Sequence, residues 1–417
     1  MTDASAAVPA RGPVTRGSVA RVGIATALSA LCGYAVLYLA ARDLEPAGFS
    51  LFGVFWGAFG LVSGAANGLL QESTREVRAM RGRHLPPTET TRPMKIAAAV
   101  GIGAALLIAV TAPLWSAHVF TADRLLSVVL LSVGLAGFCL HATLLGMLAG
   151  VDRWTQYGSL MVTDAAIRVA VAAAAFVLGW GLAGFLWATV AGSVAWLILL
   201  ALSPATREAA RLTAAGTART FLSGAFHSVA AAGASAVLIM GFPVLLKATT
   251  PELGAAGGVV ILAVTLTRAP LLVPLTAMQG NLIAHFVDQS HRRLQALVVP
   301  AAAVTAIGGL GVLAAWWAGP WLLRSAFGPD YQAAGGLLAW FTAGAVAIAL
   351  LTLTGAAAVA AALHRAYAAG WVGATLAAVA LLLLPLGLET RTVIALLCGP
   401  IVGIAVHLYA LATADRV

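Results

Sequence analysis

Long stretches with few or no charged side chains dominate this chain, and they constrain its fold more than any other feature. Apolar stretches of spanning length can be placed twelve times along the 417 residues. A helix needs about 20 apolar residues to cross a hydrocarbon core about 30 Å thick. An open strand in lipid would leave its backbone donors and acceptors unpaired. The sequence therefore predicts an all-α polytopic membrane protein with twelve transmembrane helices.

The predicted spans form two sets of six. They cover about residues 19–41, 48–70, 95–118, 125–150, 157–179 and 182–202, and then about 221–246, 254–285, 296–323, 333–362, 366–387 and 392–413. This spacing predicts a tail at 1–18, an N-lobe at 19–202, a linker at 203–220, a C-lobe at 221–413 and a second tail at 414–417. The similar segments 33–37 and 241–245 favour a parallel repeat, with two bundles around a central cavity.

Charge is scarce, and its distribution predicts the orientation in the membrane. Charged residues are 9% of the chain, against about 25% in soluble proteins, which excludes an ordinary soluble enzyme. If the N-terminus is cytoplasmic, seventeen of the 24 basic residues lie inside: Arg11, Arg16, Arg21, Arg75, Arg78, Arg81, Arg83, Arg92, Lys95, Arg153, Arg207, Arg211, Arg219, Arg292, Arg293, Arg365 and Arg416. Both termini are therefore predicted to be cytoplasmic. The net charge of +9 needs no nucleic-acid partner.

The first helix and the start of the second resemble a known transporter family. Residues 38–52 are similar to the Arg-x-Leu-x-Pro-x-x-Phe-Gly-x-Phe pattern of Wzx-type polysaccharide flippases, although Ser50 stands where that family usually has Gly. Residues 71–75, 150–157 and 327–331 are similar to further landmarks of the family. These segments are short, but they are spread over most of the chain.

The resemblance implies membership of the multidrug/oligosaccharidyl-lipid/polysaccharide (MOP) exporter superfamily and a MATE-like fold. Its polysaccharide branch moves polyprenyl-linked sugars across the bacterial cytoplasmic membrane by alternating access of two six-helix bundles. The related lipid II flippases usually carry two more helices, which favours a polysaccharide precursor here. The implied partners are a lipid-linked glycan, membrane lipids and glycosyltransferases or a polymerase of the same pathway, with a monomer as the functional unit.

Arg268 is the first candidate for substrate binding. A flippase must shelter an anionic diphosphate within a low-dielectric layer, and intramembrane charges usually face water or the protein interior. Arg268 lies near the middle of the eighth predicted helix, where Pro270 and Pro274 invite a kink that would expose the backbone to a cavity. In the resembling lipid II flippases, a cavity arginine occupies a similar position. The alternative is a structural arginine bound by neighbouring carbonyls.

Asp164 and Arg168 form the second candidate site. They lie four residues apart in the fifth predicted helix, so they share a face and can pair. The pair is either structural or switchable. In the second case substrate phosphate competes for Arg168, or Asp164 accepts a proton, and the balance between access states changes. Asp164 would then be a coupling residue.

The predicted cytoplasmic mouth supplies further candidates. Arg21 begins the first helix, and Arg75 lies close after Glu72 at the end of the second. These residues either gather an anionic headgroup or simply anchor the helices with a local ion pair. Gln279 and Asn281 are polar positions of the eighth span that could bond sugar hydroxyls, in the company of Asn67, His227 and His285.

Motifs for enzymatic chemistry are absent from the sequence. It contains no phosphate-binding Gly-x-x-x-x-Gly-Lys-[Ser/Thr] loop, and no His-Glu-x-x-His or Gly-x-Ser-x-Gly pattern. We therefore expect no cofactor, no metal and no enzymatic activity. Two alternatives to a flippase remain: an ion-coupled MATE-like drug or metabolite antiporter, and a non-transporting membrane enzyme or scaffold of glycan assembly.

Overall fold

The computed structural model describes residues 16–80, 90–289 and 292–414. Within these ranges, the side chains of residues 16–20, 277, 279–281, 284 and 293 are not described. The predicted tail at 1–18 lies outside the described residues except for its last three positions. Only the first residue of the predicted tail at 414–417 is described.

Helices make up nearly all of the described chain. They are α1 (Arg16–Ala79), α2 (Pro93–Val119), α3 (Arg124–Gly150), α4 (Trp154–Leu178), α5 (Gly181–Ala191), α6 (Ala195–Leu202), α7 (Pro204–Ala210), α8 (Ala218–Ile239), α9 (Phe242–Thr249), α10 (Gly254–Asp288), α11 (Arg293–Phe327), α12 (Gly335–Ala360), α13 (His364–Leu382) and α14 (Leu388–Ala414). The strands β1 (Thr90–Thr91) and β2 (Ala214–Ala215) pair antiparallel.

The helix α1 is a hairpin of two limbs, residues 16–44 and 46–79. Glu45 interrupts it with non-helical backbone angles and a positive φ (φ 53°, ψ 173°), directly before Pro46. Arg21 Nη1 donates to Thr155 Oγ1 at 2.8 Å, and Arg78 Nη2 lies 2.7 Å from Asp152 Oδ1. Because both ends of α1 meet the same corner between α3 and α4, its limbs run antiparallel.

This hairpin gives the number of membrane crossings. Eleven helical segments of the described chain are long and apolar enough to cross a membrane, and α1 is one of them. Its 64 residues would extend about 96 Å if straight, against a core of about 30 Å. Since its two limbs cross separately, twelve crossings result. The predicted fold class is confirmed.

Two ends of the bundle can be distinguished by their residues. We call the end that holds Arg21, Arg78 and Arg153 the basic end, and the opposite end, which holds Glu45 and Tyr331, the bend end. Exposed tryptophans lie towards the bend end, in α5, α11 and α12 and in the turn before α5: Trp180, Trp187, Trp316, Trp317, Trp321 and Trp340. Amphipathic aromatic rings are typical of a membrane interface.

The second limb of α1 joins the two bundles. In the N-lobe α1 packs against α3, α4 and α5, and it also packs against α8 and α10 of the C-lobe. A side-chain carbon at Gly68 would clash with the backbone of Ser228 and Val229, so the glycine permits close approach to α8. The largest apolar core continues across this contact, from Phe52 to Phe242.

Two spans are broken, and neither break was predicted. The sixth span consists of α5, a 3₁₀ turn at Gly192–Val194, and α6. The seventh is interrupted between Ile239 at the end of α8 and Phe242 at the start of α9. By contrast, α10 remains helical through Pro270 and Pro274. The helix continues because each proline removes only one backbone donor, and the kink expected at these prolines stays a prediction.

The predicted linker is folded onto the N-lobe. It contains α7 and β2, and β2 pairs with β1 from the connection before α2. Arg153 donates to the Ala205 carbonyl, and its Nη2 lies 2.6 Å from Glu208 Oε2. These contacts fix the basic end of the N-lobe to the segment that leads into α8.

Candidate transport site

The predicted pair of Asp164 and Arg168 is present in α4. Arg168 Nε lies 3.0 Å from Asp164 Oδ2, and Arg168 Nη2 lies 3.0 Å from Asp164 Oδ1, so the contact is bidentate. Arg168 Nη1 also donates to the Thr189 carbonyl at 2.7 Å, and its guanidinium lies 5.4 Å from the centre of the Phe59 ring. The side chains are 15% and 17% exposed for Arg168 and Asp164. The pair therefore ties α4 to α5 and to the second limb of α1.

The broken sixth span makes room for this pair. A side-chain carbon at Gly192, in the 3₁₀ turn, would clash with Asp164 and lie only 2.7 Å from Arg168 Nε. His141 of α3 is buried. Its Nδ1 has no hydrogen-bond partner in the described structure. The prediction missed His141, although a histidine inside the predicted span 125–150 was a visible signal.

Arg268 lies at the break in the seventh span. It is 6% exposed, and its Nη1 donates to the carbonyls of Leu238 and Ile239 at 3.3 and 3.1 Å. Its guanidinium carbon lies 4.9 Å from the centre of the Phe242 ring. The last carbonyls of a helix lack intrahelical donors and carry partial negative charge. Arg268 of α10 therefore caps α8 at the point where the chain breaks.

This cap uses only part of the guanidinium. Nε and Nη2 of Arg268 are buried and have no hydrogen-bond partner within the described structure. No described carboxylate forms an ion pair with Arg268, whereas Arg168 is neutralised by Asp164. The carbonyl contacts expected for a structural arginine are present at Nη1, and two donor groups are without a partner among the described residues. The contact with substrate remains a prediction.

Glu72 connects the two lobes at the basic end. It is 1% exposed, and Arg75 Nη2 lies 2.7 Å from its Oε1, which confirms the local contact expected from the sequence. Ser228 of α8 donates to Glu72 Oε2 at 3.4 Å. A side-chain carbon at Gly224 would clash with Glu72. The second limb of α1 therefore packs closely against α8, while Arg75 is 63% exposed.

The first limb of α1 behaves differently at the basic end. Arg21 is exposed and binds Thr155, and Ser29 Oγ donates to the Met161 carbonyl at 3.4 Å, so this part of the limb packs on α4 of its own lobe. Gln279 and Asn281 lie in the basic half of α10, but their side chains are outside those described. Pro270 and Pro274 are exposed on α10.

At the bend end the lobes are closed against each other. Tyr331, in the connection between α11 and α12, donates its hydroxyl to the Ala41 carbonyl at 3.0 Å. Its ring meets that of Phe49 with centroids 6.2 Å apart. A side-chain carbon at Gly258 would clash with the Pro46 carbonyl. Burial raises the pKa of the Tyr331 hydroxyl, which therefore stays protonated and can donate.

Acidic and sulfur ligands for a metal are not grouped. In the ranges 16–80, 90–289 and 292–414, no group of three or more His, Cys, Asp or Glu residues is positioned to hold a metal ion. Two charged groups described above lie well inside the helical spans: the neutralised pair Asp164 and Arg168 in the N-lobe, and the partly bound Arg268 in the C-lobe.

Solved transporters share this architecture. The chain matches an inward-facing multidrug resistance MATE family transporter of the MOP superfamily with a TM-score of 0.71, 15% identity and coverage of 96% of this chain and 99% of that one. An outward-facing MATE family transporter matches with a TM-score of 0.66 and 14% identity, over 97% of this chain and 100% of that one. A MOP superfamily transporter from Pyrococcus furiosus matches with a TM-score of 0.64 and 14% identity, over 97% of this chain and 100% of that one. The protein therefore has the two-bundle fold of MOP superfamily transporters.

Relatives at high identity come from mycobacteria. An uncharacterized protein of Mycobacterium bovis is 69% identical over 406 residues, which cover 97% of this chain and 94% of the relative. An uncharacterized protein of Mycobacterium tuberculosis is 68% identical over 406 residues, which cover 97% of this chain and 94% of the relative. A second one is 66% identical over 412 residues, which cover 99% of this chain and 95% of the relative. The chain belongs to the same family as these proteins. No protein-family model matches it.

Proposed function

We propose that the protein is a flippase that moves a polyprenyl-diphosphate-linked oligosaccharide across the bacterial cytoplasmic membrane for envelope polysaccharide synthesis. The transporter fold supports a membrane exporter. The observation that carries the choice of substrate is Arg268, a buried guanidinium without a carboxylate partner among the described residues, with two donor nitrogens unused. A positive centre in the membrane favours an anionic cargo.

The chemistry of arginine suits this cargo. Nε and one Nη of a guanidinium lie on the same planar edge and can donate two parallel hydrogen bonds to phosphate. In Arg268 the unused nitrogens are Nε and Nη2, while Nη1 is held by α8. Interrupted helices commonly form substrate sites near the bilayer centre of transporters. Phosphate binding at Arg268 would satisfy both donors and offset the cost of burying the charge.

The contacts between the lobes at the bend end fit a transport cycle of alternating access. If the basic end is cytoplasmic, as the positive-inside rule predicts, the closed bend end faces outward. The first limb of α1 packs on α4 of its own lobe at the basic end, and a headgroup from the inner leaflet would enter there between the lobes to reach Arg268. Arg21 and Arg75 would attract that headgroup.

An ion-coupled antiporter is the second candidate function. The observation that favours it is the match to multidrug MATE transporters. Pocket polarity differs among transporters of this fold. The binding pocket of the Pyrococcus furiosus transporter has reverse polarity, which suggests a different function for that protein. Cation exchange would require an available acid, and Asp164 is held by two bonds from Arg168. We therefore rank the anionic cargo first.

Reconstitution tests the proposal directly. Full-length protein in vesicles would be given a fluorescent prenyl-diphosphate oligosaccharide in both leaflets, and a membrane-impermeant quencher would report its movement. We expect the protein to accelerate loss of the protected fluorescence. Arg268→Gln should lose most of this acceleration, and Arg268→Lys should retain part of it, because lysine keeps the charge but not the planar pair of donors.

A matched control separates the site from general charge effects. Arg365→Gln removes an exposed arginine at the basic end of the same lobe, and we expect normal transport. Full transport by Arg268→Gln would remove Arg268 from the mechanism. If the wild type does not accelerate movement of the lipid but takes up a cationic dye when an ion gradient is applied, the protein is an antiporter and not a flippase. A new glycosidic product would instead favour the glycan-assembly enzyme.

A further inference from the structure

A groove with an apolar floor and a polar mouth lies between α10 and α11 at the basic end. Its volume is about 610 Å³, within the range of about 300 to 1,000 Å³ found for small-molecule sites. Met278, Leu282, Ala296, Val299 and Pro300 form the floor. The mechanism proposed above does not use this groove.

The mouth of the groove carries the polar groups. His285, Gln289, Arg292 and Gln295 line it beyond the apolar floor, towards the connection between the helices. Among the described lining residues, none carries a carboxylate. Asp288 of α10 is exposed but does not line the groove. The described part of the mouth therefore offers one permanent positive charge, a histidine and two amides.

We propose that this groove binds a monoanionic phospholipid, with an acyl chain on the floor and the phosphate at the mouth. The floor residues lie on two membrane-spanning helices, and Val299 is 75% exposed, so a lipid chain can reach them laterally. Arg292 directly precedes α11, at the end of the connection between the two helices, and basic residues near a membrane surface attract anionic headgroups. Gln289 and Gln295 can donate to the phosphate or to a polar headgroup.

Charge decides between a membrane phospholipid and a prenyl-diphosphate carrier. A phosphodiester bears one negative charge, which Arg292, the one arginine among the described lining residues, balances. A diphosphate bears more than one, and the described mouth has no second permanent cation to balance the rest. The groove thus suits a phospholipid of the leaflet at the basic end. This inference is independent of the cargo proposed for Arg268.

Native mass spectrometry of the full-length protein in detergent provides the test. The protein would be titrated with phosphatidylglycerol and with phosphatidylcholine of the same acyl chains, and bound lipid would be counted as mass adducts. We expect phosphatidylglycerol to bind more tightly. Arg292→Gln should weaken phosphatidylglycerol binding about fivefold, the effect of one basic residue near a membrane surface, and leave phosphatidylcholine unchanged.

Two pairs of variants make the result specific. Val299→Trp should fill the groove and reduce binding of both lipids, whereas Val298→Trp, at an exposed neighbour outside the groove lining, should not. Arg365→Gln should match the wild type. Equal binding by Arg292→Gln and Arg365→Gln, or by the two tryptophan variants, would overturn the proposal. Displacement of the phospholipid by equimolar prenyl diphosphate would overturn the choice of occupant, as would displacement by inorganic phosphate.

Discussion

Removing the charge of Asp164 should destabilise the N-lobe by a measurable amount. The variant Asp164→Asn loses the negative charge and one of the two acceptors that Arg168 binds at 3.0 Å, because the amide keeps a single acceptor oxygen. Arg168 keeps the Thr189 carbonyl at 2.7 Å and the face of Phe59, but its charge is no longer balanced by a described carboxylate. Leaving one member of a buried pair alone costs about 3 to 5 kcal/mol.

The partial exposure of the pair lowers this value. The two side chains are 15% and 17% exposed, so some solvation remains and the lower limit of about 3 kcal/mol is the better expectation. At about 2 °C per kcal/mol for a large domain, the melting temperature should fall by about 6 °C. The eleven tryptophans of the chain allow the transition to be followed by intrinsic fluorescence in detergent.

The double variant Asp164→Leu/Arg168→Met is the matched control. It removes both charges and fills similar volume, and replacement of a buried pair by apolar residues is often neutral or stabilising. We expect its melting temperature to lie near that of the wild type. If Asp164→Asn and the double variant melt together, or if Asp164→Asn melts like the wild type, the pair does not hold the N-lobe in the way argued here.

Stability and transport together distinguish the two roles of the pair. A purely structural pair predicts that the double variant recovers both the melting temperature and the flipping rate. A switchable pair predicts that the double variant recovers stability only, because a phosphate or a proton can no longer change its state. Unchanged rate and pH dependence in Asp164→Asn would exclude protonation of Asp164 as the coupling step.

Three further predictions concern the bend end and the orientation. Tyr331→Phe removes a bond worth about 1 kcal/mol, so the population open at the bend end should rise about fivefold, measured as a longer distance between spin labels at Asp43 and Asp330. Burial raises the pKa of Tyr331 above the ordinary tyrosine value of about 10, so the hydroxyl keeps its proton and its hydrogen bond to Ala41 until the pH rises beyond that value. The distance between the two spin labels should therefore not change between about pH 6 and 9. Impermeant maleimide added outside cells should label Glu389→Cys and not Arg365→Cys.

The number of helices was predictable because lipid imposes one simple requirement on each span. Ten of the eleven spanning segments and both limbs of α1 follow from apolar length alone. The bend at Glu45 was visible as a polar segment before Pro46. The break at Gly192 was not visible, because it lies within an apolar stretch and depends on packing against Asp164 and Arg168. The break at Gly241 had a local signal that was not used, since Pro243 lies in the first turn of α9.

The candidate site was predictable as residues but not as an arrangement. A spacing of four residues was enough to predict the contact between Asp164 and Arg168. No local pattern could indicate that Arg268 of α10 reaches the end of α8, about 30 residues earlier, since this depends on how the helices rotate and pack. His141 was missed because one histidine in an apolar helix has no periodic signature.

The two arginines within the spans therefore have different physical consequences. Arg168 has a carboxylate at 3.0 Å, so it adds no net charge to the membrane interior unless the pair separates. Arg268 has carbonyls for one nitrogen, an aromatic face, and no bonded partner for two nitrogens among the described residues. Such a group is costly to bury, and an anion that binds it reduces that cost. The same desolvation that makes the burial of Arg268 unfavourable would increase its affinity for a phosphate. A cationic drug would gain nothing from this arrangement, and for this reason we rank the anionic cargo first.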